Sequence, residues 1–346
     1  MSLPLPLTAG RVLVIAEAGV NHDGDLRKAR LLIEAARQAG ADAVKFQAYR
    51  TDLLVTAAAP KADYQVEQTG PGGQHDMLKR LELGASAFRE LAAFAEKTGI
   101  PFLASPFDAD SLALLLELKV QAIKLGSGEL TDLPLLRKAA QAGKPLLLST
   151  GMADEDEISE ALQTIESATD PAPPVVLLHA VSSYPCPLDQ ANVKAVTTLA
   201  ERFGRPVGYS DHTLGDAAAL AAVALGASVI EKHLTLDCRG SGPDHAASME
   251  PREFETMVRK IREVSRLLGD GEKKPQHCEL STRIAARKSL VAGLDISAGT
   301  ALLPKMTAMK RPGTGLPYKD LEKLLGRIAK RAIPRDTLLD EGMFEP

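Results

Sequence analysis

Eight short apolar segments, each followed by an amphipathic stretch of helical length, restrict the fold of this 346-residue chain more than any other feature. The predicted strands span residues 11–18, 42–48, 100–106, 122–126, 145–150, 175–181, 207–210 and 228–234. Strands that alternate with helices form parallel sheets, because each helix carries the chain back to the starting edge of the sheet. Eight such units predict an α/β fold, a (β/α)₈ TIM barrel. A doubly wound sheet is the alternative, since periodicity defines the units but not their closure.

The first and last predicted helices have well-marked ends. Apolar residues at helical spacing begin at Leu26, and Gly40 supplies the stop. The last helix begins at Pro251, a residue favoured in the first turn, and ends before Gly269. One insertion, from Tyr49 to about Gly84, is rich in Gly, Gln and Lys, and we predict a functional lid or a disordered excursion there.

The composition changes after Gly269, where Gly, Asp, Glu, Lys and Pro follow one another. We therefore predict a barrel domain over residues 1–268, a linker over 269–282 and a small, loop-rich domain over 283–346. Residues 281–346 carry 12 basic and 7 acidic side chains, a net charge of +5, which leaves −9 for residues 1–280. The near balance of the whole chain, −4, argues against nucleic acid as a partner.

Three widely spaced cysteines, Cys186, Cys238 and Cys278, form no C-x-x-C pair, which is typical of a reducing compartment. The apolar run at 12–16 is too short to span a membrane, and it lacks the flanks of a signal peptide. These features predict a soluble cytoplasmic protein without a membrane partner.

Polar residues collect where the predicted strands end, which is where TIM barrels carry their active sites. The residues at these ends are Glu17, Lys45, Gln47, Ser105, Lys124, Ser127, Glu129, Ser149, Ser182, Tyr184, Ser210, His212, Glu231 and His233. A single polar strand end needs no functional explanation, but polar residues at the ends of all eight strands predict a site.

His212 and His233 follow adjacent predicted strands, so their imidazoles are expected to lie close together. Two imidazoles with oxygen ligands and open water positions suit Mn²⁺ or Mg²⁺ acting as a Lewis acid. Carboxylates of Glu17, Glu231 or Asp244 would complete the coordination shell or act as a base. The alternative for each histidine is a hydrogen-bonded core residue.

Lys45 and Lys124, together with the serines, predict an anion site that holds a phosphate and a carboxylate. The alternatives are salt bridges to barrel carboxylates, or Schiff-base catalysis by one lysine. Schiff-base catalysis needs a lowered amine pKa, which nearby anions would oppose.

Other polar residues receive structural interpretations or none. His179 and His245 are expected to be structural or to support the site, and His75 and His277 receive no role. The acidic run 154–157 is expected to form the first turn of a helix, where carboxylates suit the helix dipole.

Several segments, taken in order, resemble the sialic acid (N-acetylneuraminate) synthases. They are 17–24 (EAGVNHDG), 45–47 (KFQ), 124–129 (KLGSGE), 149–152 (STGM), 209–213 (YSDHT) and 242–245 (GPDH). Two further segments, 287–292 (RKSLVA) and 310–315 (KRPGTG), look like the C-terminal antifreeze-like (SAF) domain of that family, a small β-clip.

The resemblance implies condensation of phosphoenolpyruvate with an N-acylated hexosamine, such as N-acetylmannosamine, to give a nine-carbon 2-keto acid and phosphate. It implies that His212 and His233 bind the metal and that Glu17 transfers a proton or positions water. Positions matching phosphoenolpyruvate contacts are Lys45, Ser105, Lys124, Ser127, Ser182, Tyr184 and Ser210, and we add Ser149 to the substrate-binding set. Those matching sugar contacts are Gln47, Glu129 and Asp244, together with Arg311, which would reach the site from the partner in a domain-swapped homodimer.

Two departures from the family pattern concern the sugar. The segment 181–185 (VSSYP) lacks the Thr-Asn pair common in sialic acid synthases, and Phe46 stands where His is common. Such variants also occur among legionaminic and pseudaminic acid synthases, which use diacetamido-trideoxyhexoses, so these products are alternatives. Less favoured alternatives are a Schiff-base aldolase and a non-catalytic ice- or carbohydrate-binding protein, the latter weakened by the +5 charge of the tail.

Overall fold

The computed structural model describes residues 11–345, and the first of its two compact units is built on eight parallel strands. They are β1 (Leu13–Gly19), β2 (Ala43–Ala48), β3 (Phe102–Pro106), β4 (Ile123–Leu125), β5 (Leu146–Ser149), β6 (Val175–Ala180), β7 (Val207–Asp211) and β8 (Val229–His233). Every predicted strand is present, with ends that move by no more than two residues.

The strands close into a barrel, as predicted. Hydrogen bonds run in the order β3-β2-β1-β8-β7-β6-β5-β4, and the end strands β3 and β4 lie against each other. The first strand therefore pairs with both the second and the last, with Ile15 opposite Ala43 on one side and Glu231 on the other. The doubly wound alternative is wrong, because such a sheet leaves its end strands apart.

Successive side chains on each strand point to opposite faces, and this alternation creates two apolar clusters. The cluster inside the barrel consists of Leu13, Ile15, Ala43, Leu103, Ala122, Leu147, Val176, Leu178 and Val229. The larger outer cluster lies between strands and helices and includes Val14, Ala16, Val44 and Phe46. Because odd positions of β1 and β2 point inward, Glu17, Lys45 and Gln47 continue the inner face toward the carboxyl ends of these strands.

Helices connect the strands of this unit. They are α1 (Leu26–Gln38), α2 (Thr51–Leu54), α3 (Asp63–Thr69), α4 (Gln74–Leu81), α5 (Ala85–Thr98), α6 (Ala109–Glu117), α7 (Leu133–Gln141), α8 (Glu155–Ala168), α9 (Ala195–Phe203), α10 (Ala217–Ala224) and α11 (Pro251–Leu267). The predicted ends of α1 are confirmed: the Asp25 carboxylate caps its start, and Gly40 follows its end with φ of 79°. Asp154 caps α8, so the acidic run 154–157 forms the predicted first turn.

The insertion after β2 folds into the three short helices α2, α3 and α4. Met77 and Leu81 of α4 are buried against Val20 and Tyr49, which fastens the insertion to the mouth of the barrel. Of the two forms predicted for this segment, the disordered excursion is wrong.

The boundary between the two units falls between Gly269 and Asp270. The second unit contains α12 (Leu280–Ala286) and an antiparallel pair, β9 (Ser289–Ala292) with β10 (Thr307–Lys310). Its own core is aliphatic apart from Phe344 and includes Leu290, Ile296 and Leu302. Within residues 11–345, no helix is both long and apolar enough to cross a membrane.

Candidate active site

Side chains at the carboxyl ends of the strands line a cavity of about 390 Å³. The predicted site residues in its wall are Glu17, Lys45, Gln47, Ser105, Lys124, Ser127, Glu129, Ser149, Ser182, Tyr184, Ser210, His212 and His233. Asp244 lines an adjoining cavity of about 340 Å³. The structure thus brings together every predicted site residue of the first unit, although their roles remain predictions.

The floor of the cavity is a compact group of opposite charges. The Lys45 ammonium lies 2.9 Å from Glu17 Oε2 and 3.6 Å from Glu231 Oε2, and it donates a hydrogen bond to Ser105 Oγ at 3.0 Å. Burial alone would lower the pKa of Lys45, but the two carboxylates outweigh it and raise the pKa. Lys45 is therefore a fixed cation, and the salt bridges weighed as an alternative are present in the ligand-free chain.

The pKa of Lys124 is shifted in the direction opposite to that of Lys45. The Lys124 ammonium is 3.6 Å from Glu231 Oε1, yet burial lowers the pKa of Lys124 more than that carboxylate raises it. The carboxylates oppose this fall in pKa, as predicted, but they do not prevent it, because burial is nearly complete, the ion pair with Glu231 is long and Lys45 adds repulsion. A bound phosphate would restore the missing negative charge and favour the charged amine.

Hydroxyl groups surround the backbone of Gly151 beside this floor. Ser127 Oγ accepts a hydrogen bond from the Gly151 amide at 3.0 Å. A Cβ at position 151 would lie 2.4 Å from Ser182 Oγ and 2.7 Å from Ser127 Oγ, so only glycine leaves room for both serines. Ser149 Oγ is buried without a hydrogen-bond partner, which is unusual for a hydroxyl and leaves a donor for a ligand.

The imidazoles of His212 and His233 meet at one side of the cavity, with ring centroids 5.5 Å apart. His212 Nδ1 donates to the carbonyl oxygen of Val181 at 2.7 Å, which leaves the Nε2 lone pair free. Burial lowers the pKa of His212 to about 4. Burial and then the neighbouring His212 lower the pKa of His233 well below its ordinary value. Both rings are therefore neutral near pH 7.

This donor set was tested against the predicted divalent cation. Neutral imidazoles are competent metal ligands, and His233 Nδ1 is buried without a hydrogen-bond partner, 3.7 Å from Asp244 Oδ2. Among residues 11–345, no three His, Cys, Asp or Glu side chains are already grouped as a metal site. The residues fit a cation held by two imidazoles whose other ligands are water or substrate, as in open catalytic sites.

Tyr184 packs against the histidine pair in the cavity wall. Its ring centroid lies 4.1 Å from that of His212, 5.6 Å from that of His233 and 5.0 Å from that of Tyr64 in α3. The insertion thus contacts the histidine pair indirectly, through the tilted rings of Tyr64 and Tyr184.

Three carboxyl groups share the cavity region and retain protons more readily than usual. Burial raises the pKa of Glu129 to about 7, and burial followed by repulsion from Glu17 does the same for Asp244. Burial also raises the pKa of Glu17, although Lys45 opposes it. Acids with such pKa values can donate or accept protons near neutral pH.

Two loops hold Asp244 in place through buried hydrogen bonds. Asn21 Nδ2 donates to Ser248 Oγ at 2.8 Å, and Ser248 Oγ donates to the Asp244 carbonyl at 2.7 Å. The His245 ring is hydrogen-bonded to Asp23 at 2.9 Å and Thr235 at 2.7 Å. These contacts agree with the supporting role predicted for His245.

His179 is likewise structural. It stacks on Tyr209 in the layer outside the barrel, with ring centroids 5.6 Å apart, and its Nε2 is hydrogen-bonded to the Ala191 carbonyl at 3.0 Å.

Sequence reasoning missed part of the cavity wall. The residues not predicted are Tyr64, Gln65 and Gln74 of the insertion, together with Phe107 and Met152. The only available signal was the unusual length of the insertion, which indicates function without naming a side chain. Arg311 lies in the second unit, is exposed, and donates from Nε to the Ala286 carbonyl at 3.1 Å. Its contact with a sugar remains a prediction.

The chain is similar over nearly its whole length to known proteins. The chain is 44% identical over 332 residues to N,N'-diacetyllegionaminic acid synthase of Campylobacter jejuni, covering 96% of this chain and 99% of that one. It is 42% identical to the enzyme of the same name from Legionella pneumophila, covering 95% and 93%. The solved N-acetylneuraminic acid (sialic acid) synthetase of Leptospira borgpetersenii superposes with a TM-score of 0.69 at 37% identity, covering 79% and 90%.

Family comparison covers both units. The NeuB family matches residues 32–273, and the SAF domain matches residues 287–345. Both relatives are named as N,N'-diacetyllegionaminic acid synthases, one of the alternatives that the sequence motifs left open. This chain is a member of the NeuB family of sialic acid synthases and carries a C-terminal SAF domain.

Proposed function

We propose that this protein condenses phosphoenolpyruvate with an N-acylated amino sugar, N-acetylmannosamine or a related hexose, and releases phosphate. One observation carries the proposal: two buried lysines and several hydroxyls form the floor of a cavity whose wall carries two neutral imidazoles. An anion with both a phosphate and a carboxylate matches the floor. A carbonyl acceptor matches the wall.

In this proposal the floor binds the anionic donor. Lys45 and Lys124 neutralise its charge, while the serines around Gly151 and the unpartnered Ser149 hydroxyl donate hydrogen bonds to its oxygens. Fixed donors in a cavity that excludes water stabilise such charge more than water does, because they need no reorganisation. Carbon 3 of phosphoenolpyruvate then attacks the aldehyde carbon of the open-chain sugar.

His212 and His233 would hold a divalent cation, Mn²⁺ or Mg²⁺, which polarises the aldehyde oxygen of the acceptor as a Lewis acid. Tyr184 packs against both rings and limits their movement. Gln47, Glu129 and Asp244 are assigned to the sugar, because they lie beyond the floor, toward the second cavity.

Glu17 is assigned to proton transfer or to positioning the water that adds at carbon 2 before phosphate leaves. Its Oε1 accepts a hydrogen bond from Gln47 Nε2 at 3.1 Å, and its Oε2 faces Lys45. These contacts fix the carboxylate between the proposed donor and acceptor subsites. Its raised pKa suits a group that exchanges a proton.

The test is phosphate release from phosphoenolpyruvate with each candidate sugar, with and without a chelator. We expect sugar-dependent release that the chelator abolishes and that added Mn²⁺ or Mg²⁺ restores. No chelator-sensitive release with any sugar would overturn the proposal. His233→Ala should fold and lose turnover, and a wild-type rate in that variant would refute the metal assignment.

The lowered pKa of Lys124 makes the aldolase alternative testable in the same preparation. Borohydride would trap pyruvate covalently on Lys124 or Lys45 if a Schiff base formed. We expect no trapped adduct, since family members are named as synthases.

A second candidate is a legionaminic or pseudaminic acid synthase that uses a diacetamido-trideoxyhexose. The observation in its favour is the adjoining cavity, whose apolar wall is formed by Val20, Leu54, Val55, Leu78 and Phe107. The methyl carbons of a deoxy sugar and of its acetamido groups bury favourably on such a wall, by about 0.8 kcal/mol each, whereas hydroxyl groups do not.

The competing sugars distinguish the two candidates. The second candidate requires a higher kcat/KM for the diacetamido sugar than for N-acetylmannosamine, and Leu54→Asn should then reduce that ratio about fourfold. Leu53→Asn is the matched control, because Leu53 is exposed in the same helix and does not line the cavity. A ratio below one in the wild-type protein would exclude the second candidate.

The role of Arg311 rests on the family resemblance alone. If the SAF domain reaches the partner's barrel in a swapped homodimer, Arg311→Ala raises the KM for the sugar and leaves the KM for phosphoenolpyruvate unchanged. A change confined to phosphoenolpyruvate would show that the arginine has another role.

A further inference from the structure

Asp211 and Lys232 immediately precede the two histidines of the site, and no role was predicted for either. They occupy register-paired positions on β7 and β8. Because side chains alternate along a strand, Asp211 and Lys232 point away from the cavity that holds His212 and His233. Both are completely buried, at 0% exposure, in the mainly apolar layer between strands and helices.

The two side chains clamp the end of β7 to β8. Lys232 Nζ lies 2.9 Å from Asp211 Oδ2 and also donates to the Thr213 carbonyl. Asp211 Oδ1 accepts hydrogen bonds from the Thr213 amide and from Thr213 Oγ1, both at 2.8 Å. Residues on both sides of His212 are thereby tied to the residue that precedes His233.

Stability does not explain this pair. Removing two charges from water costs about as much as their attraction returns, and an apolar pair of similar volume is often at least as stable. The preceding outward-facing positions on the same strands, Tyr209 and Ile230, are also register partners; both belong to the apolar cluster, and the Tyr209 hydroxyl additionally interacts with Asp211. The hydrogen-bonded ion pair of Asp211 and Lys232 is directional, so it fixes the relative position of the two strand ends. Apolar packing at the same place would define that position less closely.

We propose that the Asp211–Lys232 pair is a positioning device that sets the separation of the His212 and His233 rings for a shared divalent cation. Neither residue touches the cavity, so both act through their neighbours along the chain. The inference rests on the metal site of the proposed function. Partners behind metal ligands typically change metal affinity 10- to 100-fold when they are replaced.

The main variant replaces both charges together, Asp211→Leu with Lys232→Met, so that no unpaired charge remains buried. We expect the variant to fold with some loss of stability to denaturant, because the buried Thr213 amide and hydroxyl lose their acceptor. The Kd for Mn²⁺, measured by titration of the free-ion electron paramagnetic resonance signal, should rise 10- to 100-fold. A folded double variant with the wild-type Kd would overturn the inference.

Two further variants separate positioning from packing. The matched control is Ile230→Val, which alters packing at the preceding outward-facing position of β8 and should leave the Kd for Mn²⁺ within twofold. Lys232→Arg keeps the positive charge, so its Kd for Mn²⁺ is expected to lie closer to that of the wild-type protein than to that of the double variant. Equal losses in the control and in the main variant would indicate packing and overturn the inference.

A readout without metal separates this inference from the proposed function. In a crystal structure of the double variant, we expect the His212–His233 centroid separation to depart from the 5.5 Å of the native chain. An unchanged separation would overturn the inference. If the wild-type protein bound no Mn²⁺, the metal assignment would fail, while the ring separation would still decide whether the pair positions the histidines.

Discussion

The lower and upper halves of the barrel interior are built by the same strands, yet one buries apolar side chains and the other buries charged and polar ones. The lower half is a fully apolar cluster that includes Ile15, Ala43 and Leu147. Two residues further along the same strands and on the same face, the upper half places Glu17, Lys45 and Ser149. The lower half removes apolar surface from water, whereas the upper half buries charges at a cost. The difference indicates that folding depends mainly on the lower half and binding on the upper half.

The largest expected effect comes where the halves meet, at Lys45. Lys45→Met leaves Glu17 and Glu231 buried without their common partner, and this should lower the free energy of unfolding by about 3–5 kcal/mol. Phosphate binding should be lost as well, because the floor loses its fixed cation. Denaturant titration and calorimetry with phosphate measure the two effects.

The control for this substitution is Lys79→Met, which removes an exposed lysine paired with Asp52 and Glu82. Surface pairs contribute little, so the variant should resemble the wild-type protein in both measurements. Wild-type stability in the Lys45→Met protein would contradict this comparison of the two halves. It would show that Glu17 and Glu231 can stay buried without the lysine.

Leu147→Ala tests the lower half alone. It removes a fully buried side chain from the inner cluster and should lower the free energy of unfolding by about 2–5 kcal/mol. Phosphate affinity should not change, since Leu147 does not line the cavity. A large loss of affinity in a folded variant would show that the halves are coupled.

Glu129→Gln tests the cost of burying a carboxyl group in the upper half. Burial raises the pKa of Glu129 to about 7 from about 4.5, so between these values the folded chain binds more protons than the unfolded chain. Its contribution to stability is therefore present below pH 4.5 and lost as the pH rises through 7, with a slope of up to about 1.4 kcal/mol per pH unit.

The glutamine variant should lack that loss, so its stability relative to the wild-type protein should increase between pH 5 and pH 8. Unfolding curves across this range measure the difference. Parallel pH dependences for the two proteins would contradict the assignment of the raised pKa to Glu129.

Ser149→Ala has the smallest expected effect. The hydroxyl is buried without a partner, so its removal should leave stability unchanged or slightly increased. Affinity for phosphate or phosphoenolpyruvate should fall by about 0.5–1.5 kcal/mol, the contribution of one hydrogen bond. Unchanged affinity would show that Ser149 does not donate to the anion.

Periodicity predicted the strands and the faces of their side chains, which is why the residues of the floor could be named in advance. Lys45 and Gln47, two positions apart on β2, both line the cavity. Local pattern sufficed there because the alternation of a strand is fixed by its backbone.

Tyr64 and Gln65 could not be predicted in the same way. Helix α3 has only seven residues, and a helix that short is stabilised by tertiary contacts rather than by its own sequence. The lowered pKa of Lys124 was equally hidden, because it depends on the distance to Glu231 and on the depth of burial, neither of which a sequence pattern gives.

The apolar cluster that fills the lower half of the barrel also determines the side from which ligands reach the cavity. It fills the barrel below the lysines of the floor, so a ligand reaches them from the carboxyl ends of the strands, where Tyr64 and Tyr184 line the cavity wall. Under the proposed function, we therefore expect phosphoenolpyruvate to bind before the sugar.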